Sequence, residues 1–370
     1  MKIPVCKPVL GKTEQDYVLD AIKKEEISGN FGGYINNFEN QFAKFCDCSF
    51  GISTNSGTTA LHLAVASLGI KKGDEILVST FTNMATFFAV IYQDAKPIPI
   101  DIDPDTLNMN PDKIEEKITS KTKGIIVVHL FGHPTDMNPI LEIAKRHKLY
   151  VIEDCAEAHG ALYKGRKVGS IGDIGCFSFY ANKIITTGEG GMLTTNNLQI
   201  DNKSRLLRGL AFGNDNKFQH QDVGFSYRMT NLQAAIGCAQ MHRIENIIER
   251  KRKIANYYNN ALKKINGLRL PLEKNYAKNV YWMYHIIIEN KLGISREIFM
   301  QKLSAEGIET RETFVPFNQQ HIFQNRRWTQ EKECPVANHF SDKGLYLPTG
   351  PMMKKQELDY VIKKIKNTLK

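Results

Sequence analysis

One stretch constrains the rest of the chain: residues 151–192, VIEDCAEAHGALYKGRKVGSIGDIGCFSFYANKIITTGEGGM. A first apolar run ends in the acidic pair Glu153-Asp154, and the chain then turns through the small residues Ala156 and Ala158. A second apolar run, residues 174–180, stops at Asn182-Lys183 and is followed by a turn rich in threonine and glycine. Two short buried strands therefore bring one carboxylate and one lysine to neighbouring strand ends. In open α/β sheets such ends face the crevice where small ligands bind.

The two residue types together have a specific chemical use. A carboxylate under a pyridine nitrogen keeps it protonated, so that the ring draws electrons from a carbanion. A lysine amine condenses with an aldehyde and, once released, works as acid and base. That is the equipment for pyridoxal 5'-phosphate. Asp154 or Lys183 alone reads as a loop residue beside a core strand; the pair, with the serine and glycine features below, reads as a site.

Residues 54–61 supply the next feature: Thr54-Asn55-Ser56-Gly57-Thr58-Thr59-Ala60-Leu61, a polar turn opening into an apolar helical pattern. Free N–H groups at a helix N-terminus attract anions, and small residues let a phosphate approach. An ordinary Ser/Thr helix cap is the competing reading. Ser178 lies five positions before Lys183, close enough for its hydroxyl to serve the same phosphate.

These motifs resemble the DegT/DnrJ/EryC1/StrS nucleotide-sugar aminotransferases. The residues that carry the likeness are Asp154-Cys155-Ala156-Glu157-Ala158, the run from Phe177 to Asn182-Lys183, and Thr187-Gly188-Glu189-Gly190-Gly191. The resemblance implies an α/β chain of fold type I. Its large domain, residues 1–250, would hold a mostly parallel seven-stranded sheet flanked by helices. A smaller C-terminal α/β domain, residues 251–370, would follow, with the N-terminal segment packed against it.

By the same resemblance, Ser56, Gly57, Thr58 and Ser178 hold the cofactor phosphate. Ala156 packs on the ring, and Glu157 hydrogen-bonds near its phenolic oxygen. Lys183 and Asp154 are the catalytic pair. Asn30, Asn182, His220 and Arg311 are assigned to the substrate, although Arg311 reads equally as half of a surface ion pair. Two positions depart from the pattern. Asn83 stands where relatives place an aromatic residue on the ring, with Phe81 or Phe87 as possible compensation. Ser226 stands where relatives use an asparagine to reach the partner subunit's phosphate.

The implied reaction moves an amino group from glutamate to a nucleotide-linked 4-keto-6-deoxy sugar. GDP-4-keto-6-deoxymannose comes first, with dTDP- and UDP-linked sugars as alternatives. A homodimer with shared sites is expected. A dehydratase relative would have His in place of Lys183. A catalytically silent binding protein is kept open by Asn83 and Ser226.

Composition narrows the field further. The net charge of +10 raises the question of nucleic acid. The basic residues, however, are spread along the chain rather than gathered on one arm, and no nucleic-acid partner is expected. A positive field suits a diphosphate substrate. The start, MKIPVCKPVLGK, has no apolar signal core, and no apolar run approaches a membrane span; the expected location is the cytoplasm. The seven scattered cysteines read as free thiols. His129 and His133 lie close in sequence without a carboxylate or thiolate to complete a set, so no metal is expected.

Periodicity predicts helices over residues 12–27, 37–45, 112–118, 137–148, 200–210 and 243–264, the last with a basic face. Strands are predicted over residues 50–53, 73–78, 97–102, 124–129, 149–152 and 282–288.

Overall fold

The computed structural model describes residues 2–213, 216 and 218–369. Its centre is a seven-stranded sheet: β1 (Phe50–Thr54), β2 (Glu75–Ser79), β3 (Lys96–Ile100), β4 (Thr122–Val128), β5 (Tyr150–Asp154), β6 (Ile174–Ser178) and β7 (Gly191–Thr195). The spatial order is β1-β7-β6-β5-β4-β2-β3. β3, β2, β4, β5 and β6 pair in parallel, and only β7 runs against its neighbours.

The strands are apolar on both faces because the sheet is covered on both faces. Leu77, Ile125, Val127, Val151 and Phe177 enter one core. Their neighbours Ile76, Val78, Ile126, Ile152 and Cys176 enter the other. Adjacent residues thus feed opposite layers, as the period of two requires. The flanking helices include α1 (Lys12–Lys23), α2 (Gly33–Phe45), α3 (Gly57–Ser67), α4 (Ala85–Ile91), α5 (Met137–His147), α6 (Leu198–Arg208) and α7 (Asn231–Met241).

A second sheet has four strands, β8 (Leu268–Arg269), β9 (Tyr284–Ile288), β10 (Arg311–Glu312) and β11 (Gly344–Leu347), in the order β8-β9-β11-β10. It has its own core, with Tyr258, Tyr284, Ile286, Phe299, Leu345 and Val361. Ile3 joins that core and bridges to Ile308. The long helix α8 (Ile244–Leu262) links the two bodies: Ile244, Ile247 and Ile248 pack in the first, Ile254, Tyr258 and Leu262 in the other.

Three expectations need correction. The first helix stops at Lys23 rather than residue 27, since Glu25 turns to φ 60° and the Glu26 N–H closes back on the Ala21 carbonyl. Residues 112–118 form two short 3-10 turns, the first entered at Pro111 under an Asn110 cap. The strand expected from Trp282 begins at Tyr284. Ahead of it the backbone turns at Tyr281 (φ 50°), and the Trp282 carbonyl accepts from the Lys251 side chain.

Candidate active site

Parallel strands end on the same side, so β5 and β6 release their last residues beside each other: Asp154 is in register with Cys176. β1 ends nearby at Thr54 and leads through Ser56 into α3. Together they open a cavity of about 350 Å³. Ser56, Gly57, Thr58, Asn83, Asp154, Ala156, Glu157, Ser178, Asn182, Lys183 and Arg311 all line it.

Asp154 is buried. One carboxylate oxygen accepts the Thr86 hydroxyl at 2.8 Å, the other the Ala156 N–H at 3.1 Å. Burial pushes its pKa up, and the Thr86 hydroxyl, the Ala156 amide and the nearby Lys183 charge only partly oppose this. The Lys183 amine is held below the usual lysine range by burial, against the pull of Glu157 and Asp154. Glu157 is pushed up by burial to about 7, with Lys183 and the Phe131 N–H acting the other way. Its carboxylate accepts that N–H at 2.7 Å, from a residue in the left-handed region (φ 55°).

Ser56 caps α3, its Oγ accepting the Thr59 N–H at 3.1 Å, so the cap and the cavity wall are one residue. The next two N–H groups, of Gly57 and Thr58, are first-turn donors with no helical acceptor. Gly57 is required by close approach: a Cβ there would lie 2.6 Å from Ser178 Cβ. Asn83 reaches the cavity, but its amide oxygen already accepts the Ala85 N–H at 2.9 Å. Arg311 lines the cavity and also pairs with Glu309 at 3.3 Å.

Other expected residues lie outside this cavity. Phe81 and Phe87 do not compensate for Asn83: both are fully buried, Phe87 stacked on Phe317 with centroids 4.1 Å apart. Asn30, His220 and Ser226 are exposed and lie outside this cavity. His220 donates from Nδ1 to the Leu210 carbonyl, and Ser226 sits beside Gly209. His129 does have a carboxylate and a thiol near it, Glu153 and Cys155. The histidine and the carboxylate are spent structurally, however. The Thr135 N–H donates to His129 Nδ1, leaving Nε2 to donate to Glu153 at 2.9 Å. Glu153 also accepts from the amides of Gly169, Ile171 and Gly172.

The wall residues not foreseen include Trp282 and Tyr346, both from the second body. The Lys183 amine sits 3.9 Å from the Trp282 ring centroid. Tyr346 Oη and Asn182 Oδ1 are buried without hydrogen-bond partners among the described residues, polar atoms that a ligand would satisfy.

Residues 8–366 match the family model described as the DegT/DnrJ/EryC1/StrS aminotransferase family. The chain belongs to that family. Relatives in the aminotransferase family include the GDP-perosamine synthase of Caulobacter vibrioides, 41% identical over 98% of this chain and 96% of the relative. The GDP-perosamine synthase of Escherichia coli O157:H7 is 40% identical over 98% and 97%. Among solved structures, the aminotransferase from Psychrobacter cryohalolentis superposes with a TM-score of 0.91 at 31% identity, over 98% of this chain and 97% of that one. No helix among the described residues is long and apolar enough to cross a membrane.

Proposed function

We propose that this enzyme transfers the amino group of glutamate to C-4 of GDP-4-keto-6-deoxymannose, giving GDP-perosamine. The observation that carries the chemistry is the convergence of Asp154 and Lys183 on one cavity at the carboxyl ends of adjacent parallel strands. The nucleotide and the sugar rest on the two named relatives above.

The cofactor is pyridoxal 5'-phosphate, and the residues present fit it. A buried carboxylate with no ion pair among the described residues suits a protonated ring nitrogen. An amine with no hydrogen bond among the described residues suits its aldehyde. The donors at the start of α3 suit its phosphate. When bound, it supplies an electron sink for the carbon at which the amino group is exchanged.

The chain's residues divide the remaining work. The N–H groups of Gly57 and Thr58 and the Ser178 hydroxyl hold the phosphate. Ser178 Oγ accepts the Tyr180 N–H at 3.3 Å, which leaves its own hydrogen to donate. Asp154 is fixed by Thr86 and the Ala156 amide, and keeps the ring nitrogen protonated. Ala156 packs on the ring and Glu157 faces the phenolic oxygen. Lys183 Nζ secures the cofactor at rest and, once free, moves the proton during exchange. Asn182 and Arg311 face the substrate.

The working unit is a homodimer in which Ser226, Asn30 and His220 serve the neighbouring subunit's site. The exposure of all three supports this. So does the loop bearing Asn30, which packs on Arg228–Asn231 through the Asn231 N–H to the Ser28 carbonyl. Phe31, next to Asn30 in the chain, and Val223, three residues before Ser226, are 71% and 82% exposed, apolar area that a partner would cover. We place the division between the two domains near Arg250 and the enzyme in the cytoplasm.

Glutamate-dependent turnover of GDP-, dTDP- and UDP-linked 4-keto-6-deoxy sugars, assayed side by side, tests the assignment. The GDP sugar should give the highest kcat/KM; a clear preference for either other nucleotide would overturn it.

A further inference from the structure

The Lys183 amine lies against an aromatic face, 3.9 Å from the Trp282 ring centroid, and that ring is held from two sides. Trp282 is 4% exposed. Its indole Nε1 donates to the Asn182 carbonyl at 2.8 Å, across to the residue just before Lys183. Its own carbonyl accepts from Lys251 Nζ at 2.8 Å.

Lys251 is itself fully buried in α8, and its second hydrogen bond, 3.0 Å, goes to the Thr349 carbonyl. Among the described residues the Lys251 amine meets main-chain carbonyls alone, and a buried ammonium so placed is an expensive way to tie two segments together. What the tie fixes is the main chain on which the indole sits. The same indole clamps Asn182, whose Oδ1 is the unpartnered acceptor in the cavity wall.

We propose that Trp282 is a positioning residue for the Lys183 amine, its face giving the ammonium a fixed resting place and Lys251 holding that face in register. The inference rests on Lys183 being the working amine, as proposed above. An aromatic face attracts a cation and not a neutral amine, so it favours the protonated form where burial opposes it. An amine that parks in one place returns to the same carbon each time it is released. The other groups that face it are Asp154 on β5, Glu157 and His159 on the turn that follows, and Glu189, Arg311, Glu312 and the tyrosines Tyr180 and Tyr346 on the cavity wall. None of these is changed in the test.

The test reads Lys183 directly in the full-length protein freed of cofactor. Trace acetylation with acetic anhydride, followed by peptide mass spectrometry, gives the pH midpoint of this one amine. Trp282→Leu should lower the midpoint by about half a unit to one unit. Below the midpoint the labelling rate should rise about three- to tenfold. Trp282→Phe, which keeps an aromatic face, should recover most of the shift. Lys251→Met, which leaves the indole but frees its main chain, should shift the midpoint in the same direction as Trp282→Leu, and carries the test should the leucine variant not fold. An unchanged or raised midpoint in the folded variants overturns the proposal. Borohydride trapping of the cofactor on wild-type Lys183 separates the two ideas. Trapping with no midpoint shift removes the role of Trp282 alone, and failure to trap removes the reading of Lys183 on which it rests.

Discussion

Thr86 donates its hydroxyl to Asp154 at 2.8 Å, and both side chains are buried, so the carboxylate's ionisation depends on a neutral residue from another segment. Burial already pushes Asp154 upward. Thr86→Val removes a hydrogen bond to the charged form and pushes it further. Such a bond contributes about 1.5–3 kcal/mol, equivalent to about one to two pH units. The acid limb of kcat/KM against pH should move up by that amount, with little change on the alkaline side. An unmoved acid limb would mean that Thr86 does not support the ionised carboxylate.

Gly57 and Ser178 meet where α3 abuts the end of β6. The atom that an added Cβ would strike is itself a Cβ at 2.6 Å, which cannot swing aside as a flexible tip would. Gly57→Ala should displace the helix start and weaken cofactor binding about 10- to 100-fold, the equivalent of about 1–3 kcal/mol of overpacking. Ser178→Gly removes the struck atom together with the phosphate-binding hydroxyl, so the two substitutions combined should cost less than the sum of their separate costs, a coupling that a double-mutant cycle of dissociation constants measures. Wild-type affinity in the single variant would remove close packing as the reason for glycine.

Glu157 is raised by burial to about 7, so the folded chain keeps a proton there that the unfolded chain has lost above about 4.3. Its contribution to stability is full below that lower value and is lost as pH rises towards 7. Glu157→Gln removes this titration. The stability difference, variant minus wild type, should therefore grow with pH between about 4.5 and 7, by at most about 1.4 kcal/mol per unit. Urea unfolding at several pH values checks this. A difference that stays flat, or shrinks, would contradict the raised carboxyl.

Acid should also destabilise the protein through its buried histidines. Burial holds His62 and His133 down to about 4 and His159 and His285 to about 3. Their neutral forms stabilise the fold above pH about 6.5, and that contribution is lost progressively as pH falls towards 4 and 3. His159, packed among Phe42, Phe177 and Phe179 with no hydrogen-bond partner for either ring nitrogen among the described residues, should be the clearest case. His159→Leu should flatten the acid limb of the melting temperature; a limb as steep as the wild type's would place the acid sensitivity elsewhere.

How far the chain could be read beforehand follows from how local each signal is. The strands were legible because continuous Val/Ile runs between helices leave few alternatives to a covered parallel sheet. Asp154 and Lys183 were legible because each directly follows such a run, so their convergence needs only that β5 and β6 be neighbours. Trp282 and Tyr346 were not, because the second body brings them in from about 100 to 160 residues further along the chain than Lys183. In the sequence they look like core strand residues.

Lys251 was hidden differently. It reads as part of a basic helix face, yet it stands four residues after Ile247 and three before Ile254, both buried in the same helix. Helical spacing already puts it in the apolar stripe, and a charge there asks for a partner. Phe81 and Phe87 mislead for the opposite reason: proximity to Asn83 in sequence suggested the cavity, but the turn sends both rings into the core.

The account stands most directly on where the cofactor is held. The protein is mixed with pyridoxal 5'-phosphate, reduced with borohydride, digested and mapped by mass spectrometry. The account predicts one stable adduct, on Lys183, and none in Lys183→Ala. An adduct on another lysine at equal occupancy, or no adduct with excess cofactor, would contradict it.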